Sequence, residues 1–443
     1  MSEQLLSVGL DVGTTSTQLV VSELRVENRA SGFAVPEMEI TQRKIRYRSP
    51  VYFTPLVEEK LVDGEKIRRI VEEEYRKAGI TRGVVDTGAV IITGETSRKE
   101  NARTVMDALS EYAGDFVVAT AGPDLESVLA ARGAGAVDHS RDTGKTVLHM
   151  DIGGGTSNLA LIRDGSIVKT GCLNVGGRLV KFSGSGMVSY VSPVLRGLTD
   201  LQTGENSTKR QRSAVADLLV SALEMAAGRR PVTPLLGQLL TEEAEDPWVP
   251  PEEPVVVSFS GGVADCICQE LEDFAFGDLG PELGRAIRRS SLCRSGYILG
   301  RETIRATVIG AGCYSTQLSG STVYHQNVAF PMKNIPVVKN FGGLRSQQDS
   351  TAILALEGIA SPGYRQVAKL AEQIIAQMPE PILVCLERDM AKALGQALAV
   401  RLPPDARILC IDRIRVEEGS YLDVGQPVGG ALPVVVKTLI LSK

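Results

Sequence analysis

Several features that mark familiar classes of protein are scarce in this chain of 443 residues. Aromatic residues contribute only 5%, and histidine occurs three times. No apolar run approaches the ~18 residues that suggest a membrane span. The N-terminal stretch carries Glu3, Asp11 and Gln18 and has no basic segment ahead of an apolar one, so we expect no signal peptide. These features favour a cytoplasmic protein without a membrane partner.

Charge and cysteine content argue against two further classes. Lys and Arg number 48 and Asp and Glu 53, which gives a net charge of −5 without a long run of either sign. A nucleic-acid partner is therefore not expected. The seven cysteines are scattered, and Cys266 and Cys268 have no second pair at zinc spacing. We expect reduced thiols in the core or at the surface rather than a disulfide framework or a zinc site.

Glycine, by contrast, is in excess. It fills 45 positions, about 10% of the chain, against ~7% in average proteins. The length corresponds to roughly three domains at about 150 residues each, and the 43% hydrophobic content is enough for several buried cores. A chain of this size with so much glycine indicates sites where bare backbone is needed.

Two segments match each other without a gap at an offset of 140 residues. Residues 8–21 read VGLDVGTTSTQLVV, and residues 148–161 read LHMDIGGGTSNLAL. Asp11 aligns with Asp151 and Gly13 with Gly153. Each segment is an apolar run ending in Asp, then a turn of small residues, then a second apolar run. This pattern predicts two β-hairpins with glycine-rich tips in a duplicated structure.

Such tips are suited to binding phosphate. Glycine lets main-chain N–H groups approach an anion, and Thr and Ser hydroxyls add donors. Asp11 and Asp151 each end a strand and could hold a hydrated Mg²⁺ against phosphate oxygens. The alternative for each hairpin is an ordinary turn that uses Gly and Thr for its geometry. The chain contains no G-x-x-x-x-G-K-[ST] motif, so this would not be a P-loop.

Other glycine-rich segments fit a cleft between two lobes. Residues 255–264 predict a strand, a Ser-Gly-Gly turn and a helix, and this turn could lie flat against a purine and its ribose. Residues 174–178 could offer further N–H groups and the cation of Arg178, or simply begin a helix. Gly-Ala-Gly occurs at residues 133–135 and 310–312. It could mark two closely packed helices that form a hinge, although the tripeptide is common in a chain so rich in both residues.

Two phosphate turns, two connecting helices and an adenosine turn in this order resemble the actin, heat-shock chaperone and sugar kinase superfamily. More narrowly, the chain resembles the ethanolamine ammonia-lyase reactivating factors, the family of ethanolamine utilisation protein A. The resemblance runs essentially end to end. The segments that carry it are residues 8–24, 47–56, 92–102, 121–136, 148–162 and 433–441.

The resemblance implies an α/β fold. Duplicated actin-like, ribonuclease H-like ATPase domains would form a two-lobed nucleotide cleft, followed by a small C-terminal α/β unit. We expect domains at residues 1–135, 136–330 and 331–443, with insertions at about 24–82 and 199–254.

The resemblance also implies a function. The protein would be a slow ATPase that uses ATP and Mg²⁺ to act on adenosylcobalamin-dependent ethanolamine ammonia-lyase. It would release damaged or adenosyl-lacking cobalamin so that intact adenosylcobalamin can bind. The lyase would be its partner, while a homo-oligomer and an association with a bacterial microcompartment stay open.

The family's site residues carry over by position. Asp124 would orient the attacking water, with Glu126 as the alternative. Asp11 and Asp151 would hold Mg²⁺ through water. Lys99 is a candidate phosphate-contacting lysine, or a solvated helix charge. The nucleotide-binding positions would be Gly13, Thr14 and Thr15 in the first turn, Gly153, Gly154, Gly155 and Thr156 in the second, and Gly176, Gly177, Gly261 and Gly262 elsewhere.

The remaining segments have weaker patterns. Residues 331–340 predict a linker. Helices are predicted around 367–378 and 390–398, and strands at 381–386 and 406–411, as a small unit that either packs or contacts the lyase. Residues 199–254, which include the single tryptophan, predict an irregular acidic loop that is either exposed or contacts a partner.

Two other functions stay open. A small-molecule kinase of the same superfamily would need substrate-binding side chains and a base for the acceptor hydroxyl, and we cannot pick out such a set. An actin-like filament protein would sediment in the presence of ATP.

Overall fold

The computed structural model describes residues 2–13, 16–29, 38–58, 61–93, 109, 117–120, 123–184, 186–241, 248–319, 322–342, 351–416, 420–427 and 431–438. Three large sheets organise these residues. We call the parts built on them the first lobe (within residues 2–120), the second lobe (within 147–299) and the C-terminal unit (within 316–438).

The first lobe contains β1 (Ser2–Val12), β2 (Ser16–Asn28), β3 (Met38–Arg48), β4 (Tyr52–Phe53), β5 (Leu56–Glu58), β6 (Leu61–Val62), α1 (Gly64–Ala78), a 3₁₀ helix (Arg82–Val84), β7 (Thr87–Ile92) and β8 (Val117–Thr120). Its sheet has the order β3-β2-β1-β7-β8, with β4 paired to β2. The strands β1, β2 and β3 are antiparallel, whereas β1, β7 and β8 are parallel. Helix α1 begins after Asp63, whose side chain accepts from the Lys66 N–H, and ends at left-handed Gly79.

Two helices follow, α2 (Pro123–Gly133) and α3 (Ala136–Thr143). The second lobe then contains β9 (Val147–Ile152), β10 (Ser157–Arg163), β11 (Ser166–Leu173), a 3₁₀ helix (Gly177–Leu179), β12 (Val180–Ser183), β13 (Met187–Val191), a 3₁₀ helix (Pro193–Leu195), α4 (Lys209–Ala226), α5 (Pro234–Leu239), β14 (Val256–Ser260), α6 (Gly262–Cys268), α7 (Gly280–Arg289), α8 (Ser291–Arg294) and β15 (Tyr297–Leu299). Helix α9 (Ala306–Tyr314) comes after it.

The second lobe repeats the plan of the first. Its sheet has the order β11-β10-β9-β14-β15, with the first three strands antiparallel and the last three parallel. In both lobes a helix separates the third and fourth strands, α1 in one and α4 in the other. This confirms the expected α/β fold of duplicated actin-like, ribonuclease H-like units.

Both expected insertions are wrong as drawn. Residues 24–82 include the end of β2, the edge strand β3 and helix α1, which all belong to the repeated plan. Residues 199–254 contain the 18-residue helix α4. The first turn of this helix, KRQR, is polar, so the sequence there does not show the apolar periodicity of a helix. Thr208 and Gln211 form a capping box at the start of the helix. Trp248 is buried and donates to the Ala226 carbonyl oxygen at 3.1 Å, so it is neither exposed nor available to a partner.

The C-terminal unit contains β16 (Thr316–Leu318), β17 (Tyr324–Gln326), β18 (Met332–Val338), β19 (Ile353–Leu356), α10 (Tyr364–Gln377), β20 (Ile382–Leu386), α11 (Ala391–Ala399), β21 (Ile408–Ile411), β22 (Ser420–Val424) and β23 (Pro433–Thr438). Its sheet has the order β16-β23-β22-β18-β19-β20-β21-β17. Helices α10 and α11 and strands β20 and β21 confirm the predicted elements of this unit.

The expected linker at residues 331–340 is wrong. Strand β18 occupies the centre of the sheet, between β22 and β19. A register shift between Met332 and Ile335, with Asn334 at φ 54°, interrupts the alternation that would identify a strand. The sheet also takes in β16 and β17, which precede residue 331.

Each part has its own apolar core. The sheets and helices of the first lobe, the second lobe and the C-terminal unit enclose separate clusters of buried residues. None of the helices in the described ranges is both long enough and apolar enough to cross a bilayer.

Helices α2 and α9 each cross to the other lobe. Helix α2 packs on β9, β10 and β11, whereas α9 packs on β1, β2 and β7, and the two helices contact each other. A Cβ atom on Gly310 would overlap the Leu129 carbonyl oxygen, and one on Gly133 would overlap that of Ala306. The close packing predicted from the two Gly-Ala-Gly segments is therefore confirmed. Whether this crossing acts as a hinge stays a prediction.

A carboxylate in α1 is buried beneath the first lobe. Glu74 is completely buried and accepts from the hydroxyls of Tyr47 at 2.7 Å and Tyr52 at 2.6 Å, and from Lys77 Nζ at 2.9 Å. Burial alone would raise its pKa, but the three hydrogen bonds outweigh burial and hold the pKa below the usual 4.5. The ionised Glu74 therefore fastens α1 to the strands.

We expect Gly310→Ala to destabilise the protein by about 2–3 kcal/mol, because the new methyl group collides with the backbone of α2. Gly237 is the matched control, since it is also helical but has open space around its Cβ position. Gly237→Ala should stabilise by ~0.5–1 kcal/mol through helix propensity. Chemical denaturation measures both, and equal effects would contradict the backbone crossing.

We expect Glu74→Gln to cost about 1.5–3 kcal/mol at pH 7, where the native carboxylate and its charged hydrogen bonds are intact. Because the native pKa is depressed, this contribution is present above pH 4.5 and is lost as the pH falls through the native pKa. Exposed Glu73, which also pairs with Lys77, is the control, and Glu73→Gln should change stability by less than ~0.5 kcal/mol. Thermal unfolding between pH 3 and 7 tests this, and a constant difference between parent and Glu74→Gln would contradict it.

Candidate active site

The tips of the two repeated hairpins have the same geometry. In the first, Asp11 pairs with Gln18 across the strands, and the Gly13 N–H donates to the Ser16 carbonyl oxygen at 2.9 Å. In the second, Asp151 pairs with Asn158, and the Gly153 N–H donates to the Thr156 carbonyl oxygen, again at 2.9 Å. The predicted hairpins and their alignment are therefore confirmed. Thr14, Thr15 and Lys99 lie outside the described residues.

Asp11 is the penultimate residue of β1 and is buried, with 8% of its surface exposed. Its Oδ1 accepts from Thr93 Oγ1 at 3.0 Å. Burial raises the pKa of Asp11 to about 7, and the nearby Asp151 contributes to the rise, although the Thr93 hydrogen bond opposes it. Asp11 thus lies close to a second carboxylate, and among the described residues Thr93 is its one side-chain donor.

Asp151 is the penultimate residue of β9 and is similarly buried, with 6% of its surface exposed. It accepts from Ser260 Oγ, at the end of β14, and from Thr307 Oγ1 in α9 at 3.5 Å. Burial raises its pKa to about 6, against the effect of both hydrogen bonds. Residues from β9, β14 and α9 therefore orient this carboxylate together.

A buried series of hydrogen bonds through Ser258, His149 and Ser260 leads to Asp151. Burial lowers the pKa of His149 to about 3, so its ring is neutral. Because Ser260 donates to ionised Asp151, its oxygen accepts from His149 Nε2 at 2.9 Å. His149 Nδ1 then accepts from Ser258 Oγ at 3.0 Å. The sequence pattern does not indicate this chain, because His149 and Asp151 lie on β9 whereas Ser258 and Ser260 lie on the neighbouring strand β14.

The two acidic residues at the start of α2 have different surroundings. Asp124 Oδ1 accepts from Thr170 Oγ1 at 2.5 Å, on strand β11. Glu126 instead lies within electrostatic range of both Asp151 and Asp11 and accepts a hydrogen bond from Asn158. Burial, followed by the charges of Asp151 and Asp11, raises the pKa of Glu126 well above its usual value. The structure thus brings Glu126 together with the paired aspartates and leaves Asp124 on the side of β11.

The glycines of the site fall into two groups. Gly155 has open space at its Cβ position, and a Cβ on Gly262 or Gly153 would make only ordinary van der Waals contacts, with Ile304 and with the Thr156 carbonyl oxygen. In contrast, a Cβ on Gly176 would collide with the backbone of Gly154, and one on Gly261 with that of Ile152. Gly261 also has a φ of 85°. The first group leaves backbone accessible to a ligand, while the second serves close backbone packing.

The segment after β11 buttresses the second hairpin tip. The N–H groups of Gly177 and Arg178 donate to the carbonyl oxygens of Gly153 at 3.1 Å and Gly154 at 2.6 Å. These two N–H groups are therefore engaged by the protein itself. The Arg178 side chain pairs with Asp278 at 3.3 Å and lies 5.6 Å from the ring centroid of Phe53, an exposed residue of the first lobe. Arg178 thus connects the two lobes at the rim of the cleft.

The donor set suits a hydrated rather than a directly bound cation. Within the described ranges, no three His, Cys, Asp or Glu side chains approach closely enough to hold a metal ion together. The carboxylates of Asp11, Asp151 and Glu126 nevertheless lie close enough to interact electrostatically. Carboxylate oxygen is the ligand type that Mg²⁺ prefers. Mg²⁺ usually keeps several of its waters, so the residues present fit such an ion with water between it and the carboxylates.

The chain matches known proteins over its whole length. The model of the family described as ethanolamine utilisation protein EutA matches residues 3–350 and 340–442. The ethanolamine ammonia-lyase reactivase EutA of Salmonella typhimurium strain LT2 is 37% identical over 470 residues, with 99% of each chain covered. The protein of the same name from Escherichia coli strain K12 is 36% identical over the same shares. The resemblance inferred from the sequence motifs is confirmed.

Solved structures overlap more weakly. The PPX-GPPA enzyme of Aquifex aeolicus aligns with 70% of this chain and 99% of its own, at a TM-score of 0.42 and 11% identity. The ethanolamine utilization protein EutJ of Carboxydothermus hydrogenoformans aligns with 69% of this chain and 89% of its own, at a TM-score of 0.34 and 18% identity. The strand orders of the two lobes, rather than these overlaps, identify the fold.

We expect Gly155→Ala to leave stability unchanged within ~0.5 kcal/mol, because its methyl group enters open space. Gly176→Ala should destabilise by about 2–3 kcal/mol through the collision with Gly154. If a ligand occupies the space at Gly155, Gly155→Ala will weaken ligand binding although its stability is normal. Any loss of binding in Gly176→Ala will be accompanied by a loss of stability. Thermal unfolding and nucleotide titration measure the two effects, and a destabilised Gly155→Ala would contradict the assignment.

Proposed function

Because the chain belongs to the family of ethanolamine utilisation protein EutA, we propose that it reactivates ethanolamine ammonia-lyase in an ATP-dependent manner. It releases damaged or adenosyl-lacking cobalamin from the lyase, so that intact adenosylcobalamin can bind. The observation that carries the proposal is the meeting of Asp11 and Asp151 from two matching hairpin tips, in a chain 37% identical over 99% of its length to a reactivase.

Phosphates of ATP bind between the two hairpin tips. Gly154 and Gly155 supply backbone N–H groups and Thr156 supplies a hydroxyl, while the N–H groups of Gly13 and Gly153 close the two hairpin turns. Thr14 and Thr15, which follow Gly13 in the sequence, are further candidate donors. The open space at Gly155 supports this placement. The nucleoside lies along the turn at Gly261 and Gly262, where Gly262 leaves the backbone accessible.

Asp11 and Asp151 hold Mg²⁺ through its water shell. The ion neutralises negative charge on the phosphates and orients them. The side chains of Ser260, Thr307 and Thr93 keep the two carboxylates in place through the hydrogen bonds described above.

Glu126 orients the water that attacks the terminal phosphate. Its raised pKa makes it a stronger base than an ordinary glutamate, and it lies beside both aspartates. Asp124, the other candidate, is engaged with Thr170. Hydrolysis on this plan depends on positioning and electrostatics and is expected to be slow.

The nucleotide state controls the separation of the lobes. Phosphate bridges the two tips, and its loss removes contacts that cross the cleft. The crossing of α2 and α9 is the natural pivot, since it joins the lobes through backbone contact. We take residues 1–135 and 136–330 as the two moving domains. The C-terminal unit, expected at residues 331–443, is the additional part and also includes β16 and β17. Packing and lyase contact remain alternative roles for it.

Inactivated lyase tests the proposal directly. Activity should return when this protein, ATP, Mg²⁺ and adenosylcobalamin are added together, and not when ATP is omitted. Recovery without ATP, or no recovery, would sink the proposal. Phosphate transfer to an added sugar or carboxylate would instead favour a kinase, and ATP-dependent sedimentation would favour a filament protein.

We expect Glu126→Gln to lower ATP hydrolysis at least ~100-fold, a size typical of losing a catalytic base, while Mg²⁺–ATP still binds. Asp124→Asn is the matched control, because it lies two residues earlier on the same helix and should keep hydrolysis within ~3-fold. Single-turnover hydrolysis and nucleotide titration measure the two steps. A greater loss in Asp124→Asn would restore Asp124 as the residue that orients water.

A further inference from the structure

The two hairpins share a feature beyond their aspartates. Gln18 and Asn158 occupy the same place in the two repeats, each directly opposite an aspartate on the neighbouring strand. Residues directly opposite on antiparallel strands project from the same face. Each carboxamide therefore lies on the face that presents Asp11 or Asp151 to the cleft. Both are almost fully buried, with 2% and 3% of their surface exposed.

The orientation of both carboxamides is determined by their N–H groups. Gln18 Nε2 donates to the Ile304 carbonyl oxygen at 3.0 Å. Asn158 donates to the Glu126 carboxylate, since only its amide nitrogen carries protons. With the nitrogens engaged in this way, the oxygen of each carboxamide faces away from these partners.

Those two oxygens are the unusual feature. Gln18 Oε1 and Asn158 Oδ1 are both shielded from solvent, and neither has a hydrogen-bond partner in the part of the chain that the structure describes. A buried acceptor without a donor costs about 1–3 kcal/mol. The same cost at equivalent positions of both repeats points to a ligand that brings donors to both tips.

The chemistry of that ligand follows from its surroundings. Asp11, Asp151 and Glu126 are also acceptors when ionised and lie within electrostatic range of one another, and each carboxamide lies directly opposite one of the two aspartates. Unprotonated phosphate brings only further acceptors and negative charge. A hydrated divalent cation brings positive charge together with water O–H groups that point outward from the metal.

We propose that Gln18 and Asn158 are positioning residues for the water shell of a divalent cation held between the two hairpin tips. Each accepts a hydrogen bond from a metal-bound water through its side-chain oxygen. The inference rests on the proposed function in one respect, since it deepens the magnesium site at Asp11 and Asp151. It adds that nucleotide enters this cleft only together with the cation.

Paired substitutions separate the role of the oxygen from that of the nitrogen. Gln18→Met and Asn158→Leu remove both, at similar volume. Gln18→Glu and Asn158→Asp keep an acceptor oxygen but lose the N–H group. Electron paramagnetic resonance titration of Mn²⁺ measures cation binding to the full chain, first without nucleotide and then with ADP. Circular dichroism and thermal unfolding identify any variant that fails to fold.

The expected result is one Mn²⁺ site in the parent. Gln18→Met and Asn158→Leu should each weaken it roughly tenfold, as for loss of one hydrogen bond to a charged group, while Gln18→Glu and Asn158→Asp bind Mn²⁺ at least as tightly as the parent. The proposal is overturned if the parent binds no Mn²⁺ or if the apolar variants bind it normally. It is also overturned if the acidic variants, whose folding is checked separately, lose as much affinity as the apolar ones.

The two proposals can fail separately. Mn²⁺ binding that is weakened in the apolar variants, in a protein that binds no nucleotide, would support the role of Gln18 and Asn158 and contradict the ATP-dependent function. Nucleotide binding that is equally tight with and without Mn²⁺ would contradict the role of the carboxamides and leave the proposed function standing.

Discussion

The backbone contact between α2 and α9 is the constraint on which the rest of the molecule depends. Each helix leaves the sheet of one lobe and packs on the sheet of the other. Gly133 and Gly310 let the two helices approach until no side chain fits between them. This crossing joins the two lobes whose hairpin tips carry Asp11 and Asp151.

The candidate active site brings together the buried carboxylates of Asp11, Asp151 and Glu126. Burial raises the pKa values of Asp11, Asp151 and Glu126, which means that the folded protein alone does not favour three charges so close together. The sheets and α9 hold the groups in place regardless, through Thr93, Ser260 and Thr307. In the proposed function, a divalent cation offsets the electrostatic cost of bringing these carboxylates together.

The sequence predicts an element of the structure when the pattern of that element extends over many consecutive residues. The duplicated hairpins were predictable because residues 8–21 and 148–161 repeat the same pattern, and the helix at Val367 and Ile374 because its apolar residues recur at helical spacing. Helix α4 was missed because its polar first turn resembles a loop, and β18 because a bulge at Asn334 breaks its alternation. Edge and bulged strands owe their pairing to neighbours distant in sequence, which local patterns do not contain.

The sequence by itself determined the repeat, the two aspartates, the glycine-rich tips and the family, since each is encoded in contiguous residues. Only the tertiary structure decided which residues meet. It separated Asp124 from Glu126, although they lie two residues apart, because successive side chains of a helix face different directions. It also showed that Gly176 and Gly261 serve backbone packing, and that His149 supports Asp151 through Ser260. Such contacts join strands far apart in the chain, and their distances exist only once the chain has folded.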